Sequence, residues 1–147
     1  MRIIENVKIA LDTYKMVLQP TGSEIEKLKA LVPGQFINIK IEGFYLRRPI
    51  SIADWNDESL TIIYKVVGKG TKALSEMEIG IELDILWPLG NGYNLTWIPH
   101  SAILIGGGVG VPPMYGLAKK LVETGKKPRI IPVSYTHLRA HETGRNL

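Results

Sequence analysis

The run Ala102-Ile103-Leu104-Ile105 is followed by Gly106-Gly107-Gly108-Val109-Gly110, four glycines in five positions, and then by Pro112-Pro113. This order constrains the fold more than any other stretch. A continuous apolar run of strand length is the mark of a strand covered on both faces. Glycines directly after it let the backbone turn tightly and approach a ligand closely. Proline is well tolerated in the first turn of a helix, where its missing donor is not needed. Leu117 and Leu121, with Met114, form an apolar stripe on the helix that follows, and Thr124-Gly125 ends it. Arg129-Ile130-Ile131 begins a second strand of the buried type. Strand, glycine loop, helix and strand make the first βαβ unit of a nucleotide-binding α/β domain, expected over 99–133.

The preceding residues follow a different pattern. Over 3–19, Val7, Ile9 and Leu11 share one face and Met16 and Leu18 another, which predicts two strands turning at Asp12-Thr13. Ser23 and Glu26 have the spacing of a capping box for a short helix with Ile25, Leu28 and Leu31 on its apolar side. Pro33-Gly34 turns the chain into a strand over 35–41, and Glu42-Gly43 turns it into another over 44–53. Asp54 to Glu58 reads as a polar connection. Leu60, Ile62, Tyr64 and Val66 alternate with Thr61, Ile63 and Lys65 in the next strand, and Glu82 to Trp87 closes the set. Short alternating strands at this spacing predict a small antiparallel barrel over 1–98.

Two stretches within this barrel carry chemistry. In Arg47-Arg48-Pro49-Ile50-Ser51-Ile52, Arg48 offers a rigid fork of donors suited to a phosphate. Pro49 lacks a backbone donor, which argues against a central, fully paired strand. Ser51 shares a face with Pro49. In Gly68-Lys69-Gly70-Thr71, a glycine loop opens into a helix expected over 71–77, and free N–H groups at a helix start attract anions. Taken singly, each is as readily a charged strand edge or a turn. Taken together, they point to a diphosphate-bearing cofactor lying across the barrel, with Ser51 near its reactive part.

The order and spacing of Arg48-Pro49-Ile50-Ser51, Tyr64 to Thr71, Pro88-Leu89-Gly90-Asn91-Gly92 and Gly106 to Pro113 resemble the ferredoxin–NADP reductase superfamily over about residues 3–131. Within it, the wording is most similar to the electron-transfer subunits of NAD-dependent dihydroorotate dehydrogenases. The resemblance implies FAD on the barrel. Arg48 would neutralise its phosphates, and Ser51 would hydrogen-bond near the flavin N5, the catalytic position. Pro49, Ile50 and the Ile63-Tyr64-Lys65 strand would contact the cofactor, and Gly70 and Thr71 would hold its diphosphate. Tyr64 also reads as an ordinary half-buried strand residue. Gly106, Gly107, Gly108 and Gly110 would admit NAD. The third position of the dinucleotide fingerprint is Val111 instead of glycine, and Pro112-Pro113 fit the reductase-type variant. The family's partner is a catalytic dihydroorotate-oxidising subunit. Electrons would pass from it through a [2Fe-2S] cluster and FAD to NAD, in pyrimidine biosynthesis.

That cluster is held in the family by four cysteines in a C-terminal segment, and this sequence contains no cysteine. The acid that would read the ribose hydroxyls, about 20 residues beyond the glycines, falls in the tail. Residues 134–147 are polar, without a stripe, and resemble translated adapter sequence; a spurious end to a gene fragment is expected there. In this tail His137 and His141 have a zinc spacing, but the zinc-protease pattern needs Glu where Leu138 stands, so no metal site is expected. His100 reads as a surface histidine.

The net charge is only +4, with lysines scattered among acids and no basic stripe carrying aromatics, so nucleic-acid binding is not expected. No apolar run approaches the ~18–20 residues that span a membrane, and the N-terminus lacks a signal-peptide core; a cytoplasmic location is the expectation. The sequence demands no catalytic acid or base, which favours electron transfer over hydrolysis. Two other readings stay open at this point: another reductase-type flavoprotein subunit, and a non-catalytic module whose glycine loops are only turns. A fragment of this kind could also leave an unfinished sheet edge exposed.

Overall fold

The computed structural model describes residues 1–133. Six strands, β1 (Arg2–Ala10), β2 (Thr13–Gln19), β3 (Phe36–Ile39), β4 (Arg48–Trp55), β5 (Leu60–Lys65) and β6 (Ile85–Leu89), form one antiparallel sheet in the order β1-β2-β5-β4-β3-β6. Its two ends approach each other. Ile3 donates to the Ile81 carbonyl and Leu83 to that of Met1, so the segment leading into β6 joins β1 and curls the sheet towards a barrel. Period-2 alternation fills the interior. Met16 and Leu18, Ile37 and Ile39, and Leu60 and Ile62 all point inward and are fully buried. Each such side chain contributes about 1.5–3 kcal/mol on burial. Leu28, Leu31, Leu74 and Trp87 complete this core. Leu11, Val7 and Ile9 share the other face of the first hairpin and remain exposed.

Several local boundaries differ from those read in the sequence. Gly22–Ala30 is a 3-10 helix preceded by Thr21, with no side-chain cap; Ser23 lies inside it, so the capping box is absent. Its apolar side does pack inward, through Leu28 and Leu31 with Ile25 against them. β4 starts at Arg48 rather than near Phe44 and runs through Asp54 and Trp55, because both pair with β5; the turn lies over 56–59. The last barrel strand is Ile85–Leu89, and Glu82 only bridges to Arg2.

Helix α1 (Lys69–Ser75) starts before Thr71, because the Thr71 hydroxyl caps it from within. It accepts the N–H groups of Val67 at 3.0 Å and Gly68 at 3.2 Å.

The second unit holds strands β7 (Ile103–Gly107) and β8 (Arg129–Val133), paired in parallel, and helix α2 (Val111–Glu123) between them. A parallel pair requires such a crossover. Leu117, Ala118 and Leu121 of α2 pack on Ala102 and Leu104, with Leu95, Ile98 and Met114 around them. The expectation of a strand covered on both faces is not met among the described residues. Helix α2 covers Leu104, whereas Ile103 and Ile105 stay exposed, because no second helix layer lies over them. The tail positions 134–147, His137 and His141 among them, lie outside the described residues.

Candidate functional site

Strands β4 and β5 part company halfway along. They pair from Ile52–Ile62 to Trp55–Leu60. Beyond that point the first half of β4, Arg48 to Ser51, pairs only with β3, and Ile63 to Lys65 of β5 pair only with β2. Pro49 is thus tolerated in a strand that is central in the sheet order, because its missing N–H faces a gap rather than a neighbour. The gap is a cleft of about 260 Å³ lined by Pro49, Ile50, Ser51, Ile63, Tyr64, Lys65, Val67, Thr71 and Val109. Seven of these nine were singled out in the sequence for cofactor contact. Val67 and Val109 were not, since nothing about a lone valine marks it as a cavity wall.

Arg48 directly precedes Pro49 on β4 but is not itself among the residues that line this cleft. Its guanidinium lies 5.3 Å from the Phe44 ring centroid and donates to the Leu46 carbonyl. It also presses against Gly70, where a Cβ would come within 2.5 Å of Nε. Among the described residues no carboxylate pairs with it. Arg47, its neighbour in sequence, does have a carboxylate: it pairs with Asp84 at 2.9 Å and donates to the Asp84 and Asn38 carbonyls. The Arg47 guanidinium holds the Asp84 carboxyl below the usual range. One arginine of the pair is therefore held by an ion pair, and the other has no carboxylate partner among the described residues.

Tyr64 is a wall rather than a polar contact. Its ring stacks on Tyr14 at 5.8 Å, and its hydroxyl donates to Asn6 Oδ1 at 3.0 Å. Asn6 in turn donates to the Leu74 and Met77 carbonyls. Burial pushes the phenol far above its usual pKa, so it stays protonated. The Thr71 hydroxyl is likewise occupied by the α1 cap, while its side chain lines the cleft.

The glycine loop arrives from the other side. Gly106 is buried, and a Cβ there would lie 2.7 Å from the Gly110 carbonyl oxygen; Gly108 has a φ of +52°. Both positions require glycine for the loop to fold back on itself. Gly107 ends β7, and Gly110 leads into α2. Gly108, Val109, Val111 and Pro112 face Thr13, Ile63, Tyr64 and Lys65 across a second cavity of about 230 Å³. Val109, Ile63, Tyr64 and Lys65 border both cavities, so the two are adjoining. The structure thus places the barrel residues and the glycine loop around one region. Among the described residues, no three metal-ligating side chains cluster. No helix there is long and apolar enough to cross a membrane.

An antiparallel barrel with a cleft between two splayed strands, followed by a strand, glycine loop, helix and strand, defines a domain of the ferredoxin–NADP reductase type. The NADH-dependent reduced ferredoxin–NADP oxidoreductase, at 31% identity, superposes with a TM-score of 0.79 over 92% of this chain and 48% of that one. Phthalate dioxygenase reductase shares the fold at 22% identity and a TM-score of 0.74, over 92% of this chain and 43% of that one. No protein-family model matches the chain. In sequence, the chain is a homologue of dihydroorotate dehydrogenase B (NAD(+)) electron transfer subunits. It is 45% identical to that of Fusobacterium nucleatum over 134 residues, 86% of this chain and 50% of the relative. It is 41% identical to that of Enterococcus faecalis over 133 residues, 86% of this chain and 49% of the relative. The chain therefore spans about half the length of the curated relatives it matches.

Proposed function

We propose that this chain is the FAD-binding part, with the opening of the nicotinamide domain, of an electron-transfer subunit that serves a dihydroorotate-oxidising catalytic partner. The observation that carries the reading is the cleft at the β4–β5 splay, with Arg48, which pairs with no carboxylate among the described residues, next to Pro49 of its lining. The barrel residues fit FAD. Arg48 binds the diphosphate through its fork of donors, and Gly70 leaves room for that guanidinium. Ile50, Ile63, Val67 and Val109 shed water from the ring, and the Ser51 hydroxyl donates a hydrogen bond at its reactive edge. Pro49, Tyr64, Lys65 and Thr71 shape the cleft. When bound, FAD accepts two electrons as a hydride and releases them singly.

Gly106, Gly107, Gly108 and Gly110 let NAD approach the backbone beside Val109. The [2Fe-2S] cluster does not fit: without cysteine, the sequence offers no thiolate ligand. No step through a cluster is assigned to these residues. Residence in pyrimidine biosynthesis belongs to the same proposal, supported by the names of the relatives, and so does a cytoplasmic location, which those names do not mention.

The test is to purify the chain, add FAD, remove excess and record the visible flavin band. Wild type should retain flavin, and Arg48→Ala should retain less. A wild type that retains none would leave a non-catalytic module as the better reading. Retention of flavin without capture of a catalytic dihydroorotate dehydrogenase subunit would favour another reductase-type flavoprotein.

A further inference from the structure

We propose that Gly116 is a positioning residue. By letting α2 lie directly on β4, it holds Val109 in place as a wall of the cleft that contains Ser51. The inference rests on the reading of that cleft as a flavin site.

The contact is unusually close. Gly116 is buried within α2, and a Cβ there would lie 2.6 Å from the Ala53 carbonyl oxygen and 3.5 Å from the Trp55 ring. The first obstacle is backbone, so a side chain at 116 cannot be accommodated by a rotamer change. Ala53 is placed for this contact by an irregularity in its strand. Pairing steps from Ile52–Ile62 to Asp54–Thr61, which leaves Ala53 as the extra residue of a bulge. Bulges redirect backbone groups and are common beside functional sites.

The next two residues of the strand also reach α2. Lys119 Nζ pairs with Asp54 Oδ1 at 2.9 Å, and Lys120 Nζ sits 5.5 Å from the centre of the Trp55 ring. Three consecutive strand residues are thus engaged by one face of one helix.

Both ends of this seam lead directly to the cleft. Ser51 lies two residues before Ala53 on β4. Val109 lies seven residues before Gly116, immediately ahead of α2, and it lines the same cleft as Ser51. Val109 is otherwise exposed, and the loop that carries it runs straight into α2. Its distance from Ser51 is therefore set by how closely α2 docks on Ala53.

The experiment uses the full chain loaded with FAD and reads two signals: the resolved shoulders of the visible flavin band, which require an apolar wall, and the rate of FAD release. Gly116→Ala should blur the shoulders and speed release severalfold. Val109→Gly removes the wall without touching the seam and should give the same signature. Lys119→Asp places like charges together and should move both signals the same way, and adding Asp54→Lys in that chain should restore them.

A folded Gly116→Ala protein with an unchanged band and release rate would overturn the inference while leaving the flavin reading intact. If Gly116→Ala does not fold, wild-type behaviour of Val109→Gly, or no recovery in the charge-swapped chain, would overturn it instead. A wild type that takes up no FAD would overturn the flavin reading and this inference together.

Discussion

The guanidinium of Arg48 occupies the space that a side chain at Gly70 would fill. A Cβ built on Gly70 would stand 2.5 Å from Nε, 2.6 Å from Nη2 and 2.8 Å from Cζ. The obstacle is here the side chain itself, so a methyl group at 70 would evict the charged head from its seat. Gly70→Ala is therefore expected to act as a partial Arg48 deletion. Losing one charge-assisted hydrogen bond of about 1.5–3 kcal/mol weakens FAD binding on the order of tenfold or more. Equilibrium titration with FAD checks this, and an unchanged dissociation constant would detach Gly70 from the role.

Ser51 should separate binding from chemistry. Its hydroxyl is one group among nine lining residues, and the remaining contacts are largely apolar. Ser51→Ala is expected to keep FAD bound. It should slow flavin reduction by roughly two- to tenfold, as befits one hydrogen bond of about 0.5–1.5 kcal/mol made at the reactive edge. Stopped-flow reduction by a chemical donor measures the rate on the chain alone. Equal loss of affinity and rate would make Ser51 a binding residue only.

How much of this was readable in the sequence depends on the range of the interaction. Period-2 alternation put Met16 with Leu18, and Leu60 with Ile62, on shared strand faces, and all four are buried. The strand–glycine–helix–strand order marked the parallel β7–β8 pair. The splay between β4 and β5 was only half visible. Pro49 signalled an incompletely paired strand, but the end of the pairing at Ile52–Ile62 and the bulge at Ala53 leave no mark in residue type. The contacts of Gly70 with Arg48 and of Gly116 with Ala53 join residues far apart in the chain, so local patterns could not show them. Ser23 misled for the opposite reason: a correct local spacing was overridden by a helix that begins one residue earlier, at Gly22.

Ile62 sits where three strands meet, opposite Met16 on β2 and Ile52 on β4, and its side chain is fully buried. It is also the last point at which β4 and β5 pair before the cleft opens. Ile62→Ala should cost about 2–5 kcal/mol through lost contacts and a residual void. Chemical denaturation gives the number. A loss below about 0.5 kcal/mol, the range of ordinary surface substitutions, would mean that the strand junction is not the mechanical base of the cleft.

Tyr64 should make the fold sensitive to alkali. Burial raises its phenol pKa, while in the unfolded chain the group titrates near its ordinary value of 10.0. A group with a raised folded pKa contributes stability that is present below the unfolded pKa and lost above it. The unfolded state then gives up the proton while the folded state keeps it. Stability should therefore hold up to about pH 10 and fall beyond it, by at most about 1.4 kcal/mol per pH unit for one proton. Tyr64→Phe removes this source of pH dependence and should flatten the alkaline limb. At neutral pH the same variant leaves Asn6 Oδ1 without its donor, at a cost of about 1–3 kcal/mol if water cannot replace it. Denaturation curves for both proteins at several values between pH 8 and about 11, where the slope is set by proton uptake, separate the two effects. Parallel limbs would show that the alkaline loss comes from other groups and that the Tyr64 hydroxyl is not sealed from water.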